Sequence, residues 1–199
     1  MAVLSKSEET AERRRGAEAE FVAAAELLLA QGGSYADLSV EQISAAAGRS
    51  RTAFYVYFRD KRELLMRATE TVVAQLYDEA DQWWSGADGR QGLREALTGV
   101  LGTYREHGAL LRAVVEASTY DAQVADFWRA VVGRFIKATE RRLIEDGEDP
   151  SRAAGTAYVL AWMNERVCYQ HATAAERPDD PTLLEALVEV WERSVYGPR

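Results

Sequence analysis

Arg51 and Thr52, followed at helical spacing by Tyr55, are the side chains best placed for chemistry, and that chemistry is recognition rather than bond-making. An arginine can grip guanine O6 and N7 with two hydrogen bonds, a pairing that discriminates between bases by roughly 1–3 kcal/mol. Such a group needs a rigid helix that presents its first turn to the bases. The stretch SVEQISAAAGRSRTAFYVYFRDK, residues 39–61, supplies one. Ser39 with Gln42 has the spacing of a capping box and opens a helix with apolar Ile43, Ala46 and Ala47. Gly48 ends that helix, because a left-handed backbone carries no Cβ penalty there. Ser50 caps the next helix, and Asp60 with Glu63 marks the start of a third. Two short helices about one tight turn describe a helix-turn-helix, whose second helix enters a DNA major groove.

Phe54 and Phe58, four apart, share one side of that second helix and are expected to pack inward. Arg51, Thr52, Ala53, Tyr55 and Tyr57 then lie toward the groove or its walls. Tyr57 and Lys61 are placed for phosphates, and Ser39 can aim the first backbone N–H groups of its helix at another. From Arg49 to Arg67 there are six basic residues against two acidic ones, a net of +4 on a chain that carries −8. A basic patch on an acidic protein leaves one face attractive to phosphate while limiting nonspecific binding. Arg13, Arg14 and Arg15 either extend that patch as an arm or form a solvated helix start.

Bond-making chemistry finds little to work with. The chain has two histidines, His107 and His171, and one cysteine, Cys168. It contains no HExxH, no paired Cys-x-x-Cys and no phosphate-cradling glycine loop. Glu176, Asp179 and Asp180 sit in a Pro-containing loop and read as solvated. No catalytic residue, metal site or cofactor is expected. A single cysteine excludes an internal disulfide and suits a reducing cytoplasm. The opening MAVLSKSEETAERRR lacks the apolar segment of a secretory signal, and no run approaches the ~18 apolar residues of a membrane span.

The elements that must position the recognition residues are all helical. Four prolines in 199 residues, with abundant Ala, Leu, Glu and Arg, favour helix, and no stretch alternates long enough for a sheet. Residues 1 to about 11 are expected to fray. A brace helix follows, with Phe21, Ala24, Ala25 and Leu28 on one stripe and Gly32-Gly33 as its stop. From Asp60 a helix runs to about Trp84, more than 30 Å at ~1.5 Å per residue, which carries it out of the DNA-binding segment. The segment SGADGRQG, 85–92, reads as a loop. Helices are then expected from Leu93 to Gly108, Ala109 to Ser118, Asp121 to Asp146, Asp149-Pro150 to Ala172 and Asp180-Pro181 to Gly197. The fold class is therefore all-α. An N-terminal three-helix helix-turn-helix domain spans 12–62, and a helical ligand-binding and dimerisation domain spans 63–199.

The last two helices are apolar on more than one side, with Tyr158, Val159, Trp162 and Met163 off the stripe of Ala157, Leu160 and Ala161. A helix apolar nearly all round is buried on both sides. This predicts a homodimer joined by four helices, residues ~150–172 and ~180–196 of each copy, in keeping with helix-turn-helix proteins that read paired half-sites. Asn164 lies on the inner stripe, where an unpartnered amide costs about 1–3 kcal/mol, so either a neighbour or a ligand satisfies it.

The string GRSRTAFYVYFRDKREL (48–64) resembles the recognition segment of the TetR family of repressors. That resemblance assigns DNA contacts to Arg51, Thr52, Ala53, Tyr55, Tyr57 and Lys61. Arg49 and Ser44 depart from its usual Val or Ile and Ala. LAWMNERV (160–167), DFWRAVVGRFI (126–136) and VWERSVYG (190–197) resemble the ethionamide-regulator branch of the same family. By that resemblance Asn164 anchors an apolar or aromatic effector, while Trp128, Phe135, Trp191 and Tyr104 line its pocket. Ala161, Leu93 and Ala138 replace an Asn, a Trp and a Tyr of that branch, which implies a less polar, differently shaped cavity. The expected function is a ligand-responsive transcriptional regulator, a repressor released from a double-stranded operator by its effector. A helical protein-interaction module without operator binding is the alternative.

Overall fold

The computed structural model describes residues 6–197, with side chains from Glu12 onward. Among these residues there are nine helices and no strand: α1 Lys6–Ala30, α2 Val40–Ala46, α3 Arg51–Tyr57, α4 Lys61–Trp84, α5 Gly89–Glu106, α6 Gly108–Ala117, α7 Ala122–Glu145, α8 Pro150–Thr173 and α9 Asp180–Tyr196. They form two compact units that divide between Thr69 and Glu70, within the continuous helix α4. No helix among the described residues is long and apolar enough to cross a membrane.

The first unit is built on local caps. Ser39 Oγ accepts from the Gln42 amide at 3.2 Å while Gln42 Oε1 accepts from the Ser39 amide at 2.8 Å, completing the reciprocal box. Gly48 takes φ +65°, and the chain reverses through hydrogen bonds from Gly48 N to Ala45 O and from Arg49 N to Ser44 O. That pair is a Schellman stop, which satisfies two carbonyls the helix end leaves open. Phe21, Ile43, Phe54, Phe58 and Leu64 then close the core, with the Phe21 ring edge-on to Phe54 at 5.4 Å and to Phe58 at 6.0 Å. Arg67 ties α4 to α1 by pairing with both Glu18 and Glu63 while lying over the Phe58 ring.

The second unit layers α5–α9 with the remainder of α4. Helix α8 packs on α5, α6 and α7, and α5 also packs on α9. The α5–α9 seam carries a bidentate Arg94–Glu185 pair (2.6 and 2.9 Å) and an Arg90–Glu192 pair. The C-terminal end of α4 is held from α7. Arg142 Nη1 donates to the carbonyls of Trp83, Trp84 and Gly86 at 2.9, 3.2 and 2.9 Å, and its Nε pairs with Asp146 at 2.9 Å.

Three local expectations change. Helix α1 starts at Lys6, so residues 6–11, expected to fray, are helical; residues 1–5 of that stretch lie outside the described residues. The loop after α4 stops at Asp88, because that carboxylate accepts from the Gln91 amide and starts α5 at Gly89; Asp-Gly here is a cap followed by a first turn. In α2, Ser44 rather than Ala46 faces the core: Ser44 is buried with Ile43 and Ala46 is exposed.

Candidate functional site

Ser50 Oγ accepts from the Ala53 amide at 3.1 Å and starts α3, fixing which residues of its seven face outward. Phe54 is buried, and Phe58 follows it into the core. Arg51, Thr52, Tyr55 and Val56 are exposed, whereas Ala53 and Tyr57 are half-buried. The Tyr57 ring lies 6.1 Å from Phe21, so its body packs inward. Arg51 is held by Glu41 of α2 at 2.6 Å and lies over the Tyr55 ring at 5.8 Å. Both members of the Arg51–Glu41 pair are more than half exposed, which makes the pair weak and exchangeable. Arg49 pairs with Glu20 of α1, and Arg14 with Glu18.

Lys61, expected at a phosphate, has acceptors of its own within the fold. Its ammonium donates to the carbonyls of Tyr35, Ala36 and Leu38 at 3.0, 2.9 and 2.8 Å and sits 4.9 Å from the Tyr35 ring centre. Those three bonds use every donor an ammonium has, leaving none for a phosphate in this arrangement. Burial pushes its pKa down, opposed by nearby Asp37. Val56, 65% exposed beside Tyr55, is an apolar group on the outward face that sequence reasoning passed over. The available signal was its position four residues after Thr52, on the same side of the helix.

A second site lies wholly within the second unit. A cavity of about 80 Å³ is walled by α4, α5, α7, α8 and α9. It brings together Tyr104, Trp128, Phe135, Asn164 and Trp191, joined by Trp83 and Trp84 from α4. The walls are aromatic and interlocked: Trp83 meets Trp191 edge-on at 5.6 Å, and Trp84 lies 5.6 Å from Phe135. Trp83 Nε1 donates to the Tyr196 hydroxyl at 2.8 Å and Trp84 Nε1 to Thr139 Oγ1 at 3.2 Å. Four polar groups on the walls have no hydrogen-bond partner: Asn164 Oδ1, both Glu165 carboxyl oxygens, and the indole nitrogens of Trp128 and Trp191. Burial pushes the Tyr104 hydroxyl pKa well up and the Cys168 thiol to about 12, so neither is a nucleophile at neutral pH. Glu165 was absent from the residues chosen by sequence, although it stands four after Ala161 and three before Cys168 on the inner stripe. No group of three His, Cys, Asp or Glu among the described residues could hold a metal ion.

Comparison with known proteins places both halves. The family described as "Bacterial regulatory proteins, tetR family" matches residues 21–68, and "Transcriptional regulator EthR, C-terminal domain" matches residues 93–197. The HTH-type transcriptional regulator EthR of Mycobacterium tuberculosis H37Rv is 31% identical over 174 residues, covering 81% of this chain and 79% of that protein. Its counterpart from Mycolicibacterium smegmatis is 28% identical over 190 residues, covering 90% and 86%. Among solved structures, a TetR-family regulator from Syntrophomonas wolfei shares the fold at a TM-score of 0.75 and 14% identity, covering 93% and 97% of the two chains. A transcriptional regulator from Rhodococcus sp. RHA1 does so at 0.70 and 19% identity, covering 90% and 94%. With a helix-turn-helix in the first unit and an EthR-like second unit, the chain belongs to the TetR family of bacterial transcriptional regulators.

Proposed function

We propose that the chain is a cytoplasmic, homodimeric repressor that leaves its operator when a small apolar or aromatic effector enters the aromatic cavity. One observation carries the reading: helix α4 is continuous from Lys61, beside the recognition helix, to Trp83 and Trp84 in the cavity wall. A cavity of about 80 Å³ is smaller than the ~300–1,000 Å³ of ordinary ligand pockets, so an effector of that size must part the rings. Binding then favours a conformation with displaced α4, and a ligand shifts an equilibrium by its difference in affinity for the two states. Asn164, Tyr104, Trp128, Phe135 and Trp191 are the effector contacts in this reading.

On the DNA side, residues 12–62 dock as one module. Arg51 and Thr52 read base edges, Ala53 and Tyr55 line the groove, and Tyr57 and Ser39 meet the backbone. Lys61 contributes its charge through space and holds the turn before α2 in place. Selecting bound fragments from the source genome tests the assignment. Wild-type protein should enrich a discrete paired site, and Arg51→Ala should weaken binding to it by about 1–3 kcal/mol while relaxing preference at one base pair per half-site. No enrichment by the wild type, or unchanged affinity in the variant, would sink it.

Residues 63–199 supply the effector site and the dimer contact. Tyr158, Val159 and Val190 are 57%, 62% and 43% exposed on α8 and α9, an apolar surface on the helices expected to pair. Size-exclusion chromatography with light scattering at micromolar concentration should return twice the 22.2 kDa chain mass. A monomer under those conditions would refute the pairing.

A further inference from the structure

Glu165 is 5% exposed in the cavity wall, yet neither carboxyl oxygen accepts a hydrogen bond. Arg166 Nε stands 3.7 Å from Oε2, outside hydrogen-bonding distance, and more than half of that guanidinium side chain is exposed. Asn164 Oδ1, one residue earlier and also in the wall, is a second buried acceptor without a donor. Buried acceptors without a donor are costly, and most such groups bond to protein, water or ligand. The surrounding rings present π faces, which attract cations most strongly where water is excluded.

We propose that the effector of this cavity is an organic cation, an apolar or aromatic amine whose ammonium head pairs with Glu165 and Asn164. The inference rests on the reading of the cavity as the effector site and adds the charge of the ligand to it. An ammonium brings several N–H donors and no acceptor, the complement of two orphaned acceptors. A neutral apolar ligand would leave the carboxyl without a hydrogen-bond donor, and an anionic one would set like charges together in a low-dielectric space. The indole N–H of Trp128 partly favours the ionised carboxyl without completing a hydrogen bond to it. Burial is the larger influence and pushes the Glu165 pKa up, with the mostly exposed Arg166 guanidinium opposing it more than the indole does.

Three probes with one body and different heads decide the matter: 4-phenylbutylamine, 4-phenylbutan-1-ol and 4-phenylbutanoate, titrated into the full chain. The readout is quenching of tryptophan emission, since Trp83, Trp84, Trp128 and Trp191 all face the cavity. The amine should bind at least about tenfold more tightly than the alcohol, with the alcohol competing for the same site and the carboxylate weakest. Glu165→Gln should cut the amine preference to about twofold or less, weakening the amine much more than the alcohol. If the alcohol equals or exceeds the amine, or if the preference survives Glu165→Gln, the cationic effector is overturned while the cavity keeps its role. If none of the three perturbs the emission or competes, both readings fall. Should Glu165→Gln not fold, the wild-type ranking and the competition still decide the outcome.

Discussion

Arg142→Ala should lower the unfolding free energy of the second unit by about 3 kcal/mol, measured by urea titration. The side chain is only 13% exposed, and its guanidinium closes the C-terminal end of α4 by bonding three carbonyls that no helix hydrogen bond can reach. It also lies over the Trp83 ring at 5.9 Å. Truncation removes that donor from the Trp83, Trp84 and Gly86 carbonyls and the Arg142 pair from Asp146. Because Trp83 and Trp84 are also cavity walls, tryptophan emission should change and effector affinity should fall together with stability. Arg142→Lys should recover only part of the loss, since an ammonium cannot span both the carbonyl cluster and Asp146 as a planar fork does. A loss below about 1 kcal/mol in the alanine variant would mean that water caps this helix end as well as the arginine.

Phe21→Ala should cost about 3–5 kcal/mol and confine the damage to the first unit. The ring is fully buried and touches Phe54, Tyr57 and Phe58 at centroid distances of 5.4, 6.1 and 6.0 Å. Removing it opens a void at the centre of a small core, where each aromatic is a large share of the apolar area available. Amide exchange should lose protection in α1–α3 while α5–α9 stay protected, and operator binding should vanish with effector binding retained. Simultaneous loss of protection in α5–α9 would show that the two units unfold as one.

Much of the fold was legible because caps act within four residues. Ser39, Ser50, Asp60, Asp121 and Asp149 each place a side-chain acceptor against an amide two or three positions on, and their helices start where those residues stand. Apolar spacing was equally readable, so Phe54 and Phe58 went to the core and Arg51 and Tyr55 to the surface. The Asp88-Gly89 step misled because the same two residues suit a turn and a helix start; only the accepted Gln91 amide separates them.

Side-chain partners at long sequence separation were not legible. Lys61 reads as a free cation at a helix start, but its acceptors belong to carbonyls 23 to 26 residues earlier. Arg142 looks like one more charge on an amphipathic helix until α4, 56 to 59 residues earlier, ends against it. Glu165 lies on the inner stripe of α8, but only the packed aromatic walls show that its carboxyl is shut in with no hydrogen-bond donor. The sequence by itself therefore determined most of the helices, their order and the inward turn of Phe54 and Phe58 with Arg51, Thr52 and Tyr55 outward, since capping and periodicity are short-range effects. Which cations are spent on carbonyls, and which acid is shut into the cavity, was decided by tertiary structure, because hydrogen-bond supply and water exclusion depend on chain segments that meet only after folding.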